Sequence, residues 1–549
     1  MKRLVIAFLA VTITLLVAAG TATAQVHENK KVGYRVLHPR NWTEVPIKTS
    51  ENWIVGKFIS DKDYHDHSEE WPVSYRPEMT VILFPDVLTK GRKVERRKEG
   101  EATVTEIKNP YRNYEHYLDE NLHEGGWHFS LKEEKKDKDL SWTLIEVTID
   151  KLTHGGKKRL IAGVFHADDA DYVVQFIILE VDYKKKLKQE VYSCLRSFKF
   201  IPREGNIAKV SSGRSEKVEE WKLAPKDRKN YREEKQKVAF RQAKERLPDG
   251  WHAFEYKGVY LISHVDRKDA MKVAALAVAL TAWLEKTFDF MGDEYVRPPI
   301  IRICASADEA NAYRRGSGDS WFGGDSREIV VVIDPKSWDP GSSMEGLSVE
   351  IMNDWFMDKD EHVSWWTMPT WLDSGLDEYV GCAKLKGAKV EFKNDAWGKD
   401  ELRTAGRKGE LNPVRQLITM TGDQFWQKWH TREQCAALVR FLLEGPGRKA
   451  KRGKTFLKDY ITALRDYRKE VDRLEEEERE ARRAAGASEE KPKTDEEEEK
   501  EEAERKKKRA DDWKKKEAET LKKLFERAFG EWSEKDWDKF ERTYRAWLE

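Results

Sequence analysis

The chain has 549 residues, of which 37% are charged, and its formal net charge is +1. A nucleic-acid-binding protein needs an excess of basic residues, so this balance argues against one. At ~150 residues per domain the length predicts two or three domains. The 21 Trp and 21 Phe supply enough large apolar side chains to build their cores.

The N-terminus has the three parts of a secretory signal peptide in order. Lys2 and Arg3 are positively charged, an apolar run follows from Leu4 to Ala19, and Ala22-Thr23-Ala24 is an A-x-A cleavage site. An uncleaved membrane anchor is the alternative, but a spanning helix needs ~20 apolar residues and this run is shorter. We therefore predict that residues 1–24 are a signal peptide. The mature chain is expected to be periplasmic or extracellular, without an integral membrane segment.

The four cysteines are widely spaced and form no CxxC motif: Cys194, Cys304, Cys382 and Cys435. Export permits disulfides, but so few cysteines do not make a disulfide scaffold. We predict buried free thiols, and the sequence leaves any pairing open.

Residues 26–203 have the pattern of one α+β domain. Runs of apolar and β-branched residues predict strands, and apolar residues at helical spacing predict two helices. The predicted strands are Gly33–Leu37, Met79–Phe84, Ser141–Ile149, Arg159–His166 and Tyr172–Val181, and the helices cover Tyr114–Leu122 and Tyr183–Leu195. The polar residues 167–171 predict a hairpin turn between the last two strands.

Short motifs at the two ends of this region resemble the PsbP-like fold, an α/β/α sandwich. They are an opening Y-x-V-x-x-P-x-x-W, formed by Tyr34, Val36, Pro39 and Trp42, and a closing Arg196-Ser197-Phe198. The resemblance implies a domain that binds and assembles with other proteins, as members of that fold mostly do.

Residues 204–249 are predicted to be a charged linker that ends in a helical stretch rich in Lys, Arg and Glu, after which a second domain begins. This domain covers residues 250–466, and its predicted elements are a strand at Gly258–Ser263, a long helix at Lys268–Phe288, and strands at Pro299–Ala305 and Glu328–Ile333. Glu, Lys and Arg dominate residues 467–519, which predicts an insertion of two solvated helices joined by a flexible tip. Apolar residues return at helical spacing over 520–549, so we expect these last helices to pack on the second domain.

Two segments of the second domain carry its informative motif. Leu347–Phe356 has the pattern of a helix, and a short connection later comes Pro369-Thr-Trp-Leu-Asp-Ser-Gly-Leu-Asp-Glu-Tyr379. The pair resembles the peptidase MA-like (gluzincin) domain of exported bacterial proteins, where one helix carries H-E-x-x-H and the next carries P-x-W-L-x-E-G-L-A-E-Y. The resemblance covers roughly residues 250–549. It implies a mainly helical domain with a small β-sheet and a charged helical C-terminal hairpin.

Departures from the family pattern decide what this site can do. In the family, two His at i and i+4 and a Glu on the next helix bind Zn²⁺, and the Glu between the His residues activates the bound water. Here the ligand positions hold Val349, Asn353 and Ser374, and only the general-base position survives, as Glu350. Val cannot ligate, and the neutral oxygens of Asn and Ser suit zinc poorly. The sequence therefore predicts no zinc, no other cofactor and no peptidase activity by this mechanism.

Other residues of the two segments are candidates to line the remaining cleft: Asp354, Trp371, Asp373, Asp377, Glu378 and Tyr379. A substitute metal set built on His362 is an alternative, although catalytic zinc needs three protein ligands and an open position. A further interpretation is that Leu347–Phe356 is simply a core helix, on which Glu350 is paired or partly exposed.

We expect an exported pseudopeptidase whose former substrate cleft binds a protein or peptide. A groove that once held an extended peptide can still accept a strand, which makes retained binding physically reasonable. Two alternatives stay open. One is an active hydrolase with an unrecognised metal set, and the other is a structural envelope protein that makes its contacts through the charged C-terminal helices.

Overall fold

A computed structural model shows a mixed α+β protein, which confirms the fold class predicted from the sequence. The structure describes residues 25–548 except for 49–50, 52, 67–72, 86–92, 100–101, 109–110, 112, 122–126, 138–139, 150–155, 184, 208–213, 219, 311–327, 334–341, 393–398, 429 and 485–514. The predicted signal peptide and the predicted tip of the charged insertion lie outside the described residues.

The chain divides into two units. The first comprises Met1–Phe254, Ile262–His264 and Cys304–Glu328, and the second comprises Glu255–Leu261, Val265–Ile303 and Ile329–Glu549.

Before residue 250, the described residues of the first unit form fifteen strand segments and three α-helices. The strands are β1 Gln25–Asn29, β2 Tyr34–His38, β3 Trp42–Glu44, β4 Ile54–Ser60, β5 Tyr64–Asp66, β6 Val73–Tyr75, β7 Glu78–Pro85, β8 Lys93–Glu99, β9 Ala102–Lys108, β10 Trp127–Asp137, β11 Leu140–Ile149, β12 Lys158–His166, β13 Ala170–Leu179, β14 Lys199–Phe200 and β15 Arg214–Val218. The helices are α1 Tyr114–Asn121, α2 Lys185–Ser197 and α3 Pro225–Glu245. Helix α3 lies within the stretch predicted as a charged linker.

The centre of the first unit is a seven-stranded antiparallel sheet in the order β10-β11-β12-β13-β7-β4-β3. Successive side chains along a strand point to opposite faces, so each strand serves two apolar clusters. Ile161 lies in one cluster with Leu195 of α2, and its neighbour Leu160 lies in the other with Leu118 of α1. Both faces of the sheet are therefore covered. Smaller sheets, β1-β2-β14, β15-β9-β8 and β5-β6, accompany it.

The remaining strands are β16 His252–Tyr256, β17 Val259–Ser263, β18 Ile300–Cys304, β19 Glu328–Val332, β20 Ala383–Lys386 and β21 Lys389–Phe392. The first four form a sheet in that order, and β20 pairs with β21 as an antiparallel hairpin.

The second unit is mainly helical. Its helices are α4 Arg267–Thr287, α5 Ser342–Lys359, α6 Thr370–Gly381, α7 Lys399–Arg407, α8 Val414–Leu417, α9 Gly422–Phe425, α10 Thr431–Leu443, α11 Phe456–Ala484, α12 at residues 515–529 and α13 Glu534–Leu548. Helix α4 buries a face rich in Ala, which includes Ala270, Ala274 and Ala277. Small side chains let neighbouring elements approach this helix closely.

Aromatic side chains join the last helix to the rest of the second unit. The ring of Phe540 on α13 stacks on Phe456 of α11, with 5.2 Å between centroids. The Tyr544 hydroxyl donates a hydrogen bond to the carbonyl of Gln434 on α10, at 3.0 Å. The C-terminal helix is thus anchored by both packing and a buried hydrogen bond.

All four cysteines are free thiols, and Cys194, Cys304 and Cys435 are buried. None of the described helices combines the length and the apolar character needed to cross a membrane.

Candidate functional site

Helix α5 buries one face in the core and turns the candidate positions toward the other. It extends beyond the predicted Leu347–Phe356 in both directions. Leu347, Ile351 and Trp355 are buried, as expected of apolar residues at helical spacing. The candidate positions on the other side are half-buried: Val349, Glu350, Asn353 and Asp354.

Helix α6 begins directly after Pro369, whose ring restricts φ and whose backbone is extended. Ser374, which the gluzincin resemblance places at the third-ligand position, is buried on this helix. Asp373 and Asp377 are half-buried and lie one turn apart, so their carboxyl groups are on the same face.

Two of the candidate cleft residues serve packing. The indole of Trp371 is fully buried, and its ring meets that of Tyr460 edge-on with 5.0 Å between centroids. Tyr379 stacks on Phe392 at 4.5 Å, and its hydroxyl donates a hydrogen bond to Glu444 at 3.0 Å. Burial, together with the charge of Glu444, raises the pKa of Tyr379. These rings hold α6 in place and do not line an open cleft.

Gly375 lets helix α10 approach α6 closely. A Cβ at this position would lie 3.0 Å from the carbonyl oxygen of Cys435 and 3.0 Å from a methyl carbon of Val439. The Gly of the E-G-L motif is therefore explained by helix packing, because no larger side chain fits without a shift.

The carboxyl groups of α6 have unusual proton affinities. Burial raises the pKa of Asp373 to about 6. Burial also raises the pKa of Asp377 to about 7, and the negative charges of Asp373, Glu350 and Glu378 add to that rise, against the opposing charge of Arg432. A carboxyl group that is removed from water resists ionisation, and nearby like charges increase that resistance.

Helices α5 and α6 pack against each other, and the charge of Glu350 contributes to the raised pKa of Asp377. We define Glu350, Asp373 and Asp377, all half-buried, as the acidic patch. One oxygen of Asp377, Oδ1, is shielded from solvent and has no hydrogen-bond donor among the residues that the structure describes. Glu378, by contrast, forms an ion pair with Arg432 of α10. Asp377 therefore keeps unused hydrogen-bonding capacity, whereas Glu378 is engaged.

His362 does not join the acidic patch. Its Nδ1 lies 2.9 Å from a carboxylate oxygen of Asp472 on α11. A substitute metal set would need this imidazole among the carboxylates of α6. Within the described ranges, no group of three or more His, Cys, Asp and Glu side chains could hold a metal ion.

The acidic patch has limited chemistry of its own. Val349, Asn353 and Ser374 supply neither imidazole nor carboxylate, so these positions cannot assemble the ligand set of a catalytic zinc site. A carboxyl group with a pKa near 7 can hold or release a proton near neutral pH and can accept hydrogen bonds. The arrangement suits the recognition of a cationic or hydrogen-bond-donating group.

Arg432 is the residue that sequence reasoning missed. It comes from α10, more than fifty positions after Asp377, and it opposes the rise in the Asp377 pKa. No pattern in the sequence indicates which of the many Arg and Lys side chains meets α6, because this depends on the packing of α6 on α10.

Comparison with known proteins assigns no family to the chain. No family model and no curated protein matches it. Several solved structures are similar to parts of it. Cyanobacterial PsbP (CyanoP) from Synechocystis sp. PCC 6803 is 15% identical over 33% of this chain and 94% of that chain, with a TM-score of 0.23. LpqN of Mycobacterium tuberculosis, described as involved in cell envelope biogenesis, is 12% identical over 33% of this chain and 91% of that chain, with a TM-score of 0.20.

A protein from Bacteroides thetaiotaomicron VPI-5482 is 8% identical over 60% of this chain and 78% of that chain, with a TM-score of 0.19. All three TM-scores are low. Weak structural neighbours thus include a PsbP-like protein, whereas these comparisons give no evidence for the gluzincin resemblance, which stays a prediction from the sequence.

Proposed function

We propose that this chain is an exported, non-catalytic peptidase-like protein that binds a polypeptide at the surface formed by α5 and α6. The observation that carries the proposal is the packing of α5 against α6, which carry Glu350 and Asp377, and the contribution of the Glu350 charge to the raised pKa of Asp377 agrees with it. It supports a site in which α5 and α6 face one region of space, as the gluzincin resemblance implies. The three ligand positions in that site hold residues unsuited to zinc, which favours binding over hydrolysis.

The acidic patch indicates what kind of polypeptide fits. Ionised carboxylates attract cations, and complementary charge increases the rate and specificity of association. A basic side chain placed over the half-buried carboxyl groups of the acidic patch would also form charge-assisted hydrogen bonds with them. We therefore propose that the partner presents Lys or Arg on an extended segment.

Fluorescence anisotropy with two labelled peptides tests this proposal. The probe is an alternating Lys-Val dodecapeptide, which is basic and extended, and its counterpart is the alternating Glu-Val peptide. We expect the full chain to bind the basic peptide and not the acidic one. The double variant Glu350→Gln, Asp377→Asn should weaken binding at least tenfold. Equal binding of both peptides, or an unaffected double variant, would contradict the proposed site.

Metal content and proteolysis separate this function from that of an active hydrolase. We expect purified protein to contain far less than one equivalent of zinc and to leave labelled casein intact. Stoichiometric metal together with cleavage that a chelator abolishes would establish the hydrolase instead.

A further inference from the structure

Lys57 is a buried cation in the central sheet of the first unit. It lies on β4, its side chain is 1% exposed, and its Nζ is 2.6 Å from Oε1 of Glu51 and 3.7 Å from Oε2 of Glu78 on β7. We call these three residues the triad. One ammonium group is thus shared by two carboxyl groups in a poorly hydrated place.

The triad carries unbalanced charge when both carboxyl groups are ionised. Burial would lower the pKa of Lys57, but the charges of Glu51 and Glu78 outweigh it and raise that pKa, so Lys57 stays protonated. Burial raises the pKa of Glu78 to about 7, and the charge of Glu51 adds to the rise while that of Lys57 opposes it. Near neutral pH the triad therefore alternates between a balanced state and a state with one excess negative charge.

Other groups that face Glu78 do not change this conclusion. Lys48, from the segment before β4, lowers the pKa of Glu78, but less than burial raises it. Tyr117 of α1 also lies nearby, and burial raises its pKa, so it stays neutral. The proton on Glu78 is the one that changes near neutral pH.

The triad is connected to the residue that follows helix α3. The second oxygen of Glu51 accepts a hydrogen bond from the backbone N–H of Lys48, at 2.8 Å. The guanidinium of Arg246, directly after α3, donates to the carbonyls of Glu51, of Ile54 at 3.2 Å and of Lys48 at 3.3 Å. The Glu51 carboxylate and Arg246 thus both bind the backbone of Lys48.

We propose that the triad is a proton-controlled latch that fixes the backbone at Lys48, Glu51 and Ile54 and, through Arg246, the end of helix α3. With Glu78 protonated, Lys57 and Glu51 form a balanced pair and the latch is closed. With Glu78 ionised, an excess negative charge is buried beside β4, and local opening of this region becomes easier.

The direction of the pH dependence follows from linkage. The pKa of Glu78 is raised in the folded state, so its contribution to stability is fully present below the unfolded pKa of about 4.5 and is lost as the pH rises through about 7. Local stability around the latch should fall over this window and become constant above it.

Hydrogen–deuterium exchange of the full chain, corrected for intrinsic exchange, measures this opening directly. In the wild type, the opening constant of peptides covering β4, β7 and the end of α3 should rise by up to tenfold per unit between about pH 5 and about pH 7. In Glu78→Gln it should be constant over the same range. The matched control Glu204→Gln removes an exposed carboxylate of the same unit and should keep the wild-type slope.

The wild-type profile alone shows whether local opening depends on pH, so this part of the test does not require a variant that folds. A flat wild-type profile would overturn the latch, and so would a Glu78→Gln profile with the wild-type slope. Glu51→Gln gives an independent check, because it removes a negative charge that adds to the raised pKa of Glu78, so the slope should move to lower pH. If Glu78→Gln loses the slope in β4 and β7 but keeps it at the end of α3, the connection through Arg246 would be overturned.

Discussion

Arg297 and Asp358 form an ion pair in the interior of the second unit, with 2.7 Å between Nη2 of the guanidinium and Oδ1 of the carboxylate. The two side chains are 7% and 1% exposed. The backbone N–H of Arg297 donates to the other carboxylate oxygen, also at 2.7 Å. This pair fixes the chain before β18 to the end of α5, the helix that carries Glu350.

Removal of one partner of this pair should strongly destabilise the second unit. We expect Asp358→Ala to lower the free energy of unfolding of the second unit by about 3–5 kcal/mol, because it leaves a buried guanidinium without its counter-charge. Urea denaturation followed by Trp fluorescence measures the change. The control Glu477→Ala removes an exposed pair with Arg473 on α11 and should change stability by less than about 0.5 kcal/mol. Similar losses in both variants would show that the buried pair has no special role.

Two glycines should respond to alanine in opposite ways. Gly375→Ala places a methyl group against the backbone of α10, and overpacking of this kind costs about 1–3 kcal/mol, more than the gain in helix propensity. Gly346→Ala is the matched change on α5, where a Cβ meets nothing within 4 Å, and it should stabilise by about 0.5–1 kcal/mol. Thermal unfolding of the two variants checks the signs. A stabilised Gly375→Ala would mean that α6 and α10 are further apart than described.

Local patterns predicted the apolar elements of the fold well. The hairpin expected at Arg159–His166 and Tyr172–Val181 is β12 and β13, paired from Lys158↔Leu179 to His166↔Asp171. Such strands are continuous in sequence, buried, and bounded by a polar turn, so local signals determine them.

Elements without an apolar signal could not be predicted in this way. Strand β10 is mostly exposed and carries six charged residues over 132–137, and only its pairing with β11 makes it a strand. Charged side chains of this kind also protect the edge of a sheet from pairing with other chains. The burial of Lys57 could not be predicted from local sequence either, because the carboxylates that make it possible come from separate segments.

In the candidate site, too, features that depend on packing between separate segments could not be predicted. The motif indicated which residues of α5 and α6 belong to it, but it could not separate the packing residues Trp371 and Tyr379 from the acidic patch. Nor could it indicate the raised proton affinity of Asp377, since this depends on burial and on Glu350 from another helix.

The raised pKa of Asp377 has a consequence for stability. Its folded-state pKa of about 7 lies above the ordinary value, so its ionisation destabilises the fold increasingly as the pH rises from about 4 to about 7. We expect Asp377→Asn to be more stable than the wild type at about pH 8, by on the order of 1 kcal/mol, with the advantage vanishing toward pH 4–5. Urea midpoints at several pH values measure it. Asp466→Asn, an exposed aspartate on α11, should show no such trend.

The predicted signal peptide has a direct test. Mature protein recovered from the producing cells should begin at Gln25, because signal peptidase cleaves after an A-x-A motif. Intact-mass analysis of that material measures the N-terminus. A membrane-bound product that retains residues 1–24 would contradict the prediction.

The triple change Val349→His, Asn353→His and Ser374→Glu tests the ancestry of the α5–α6 site. If α5 and α6 keep the arrangement of a gluzincin, this variant supplies two imidazoles at i and i+4 and a carboxylate from the next helix, which is a complete catalytic ligand set. We expect it to bind about one equivalent of zinc, measured by mass spectrometry of dialysed protein. The wild type should bind essentially none.

Metal binding is a safer readout here than restored peptidase activity. The residues that orient ligating imidazoles are also needed, and their absence alone can lower zinc affinity by about 10–100-fold. The double variant Val349→His, Asn353→His is the control, since without the Glu it lacks the third ligand and should bind zinc more weakly. A folded triple variant with no more zinc than the wild type would show that Val349, Asn353 and Ser374 do not surround one point, which would remove the main support for a peptidase ancestry.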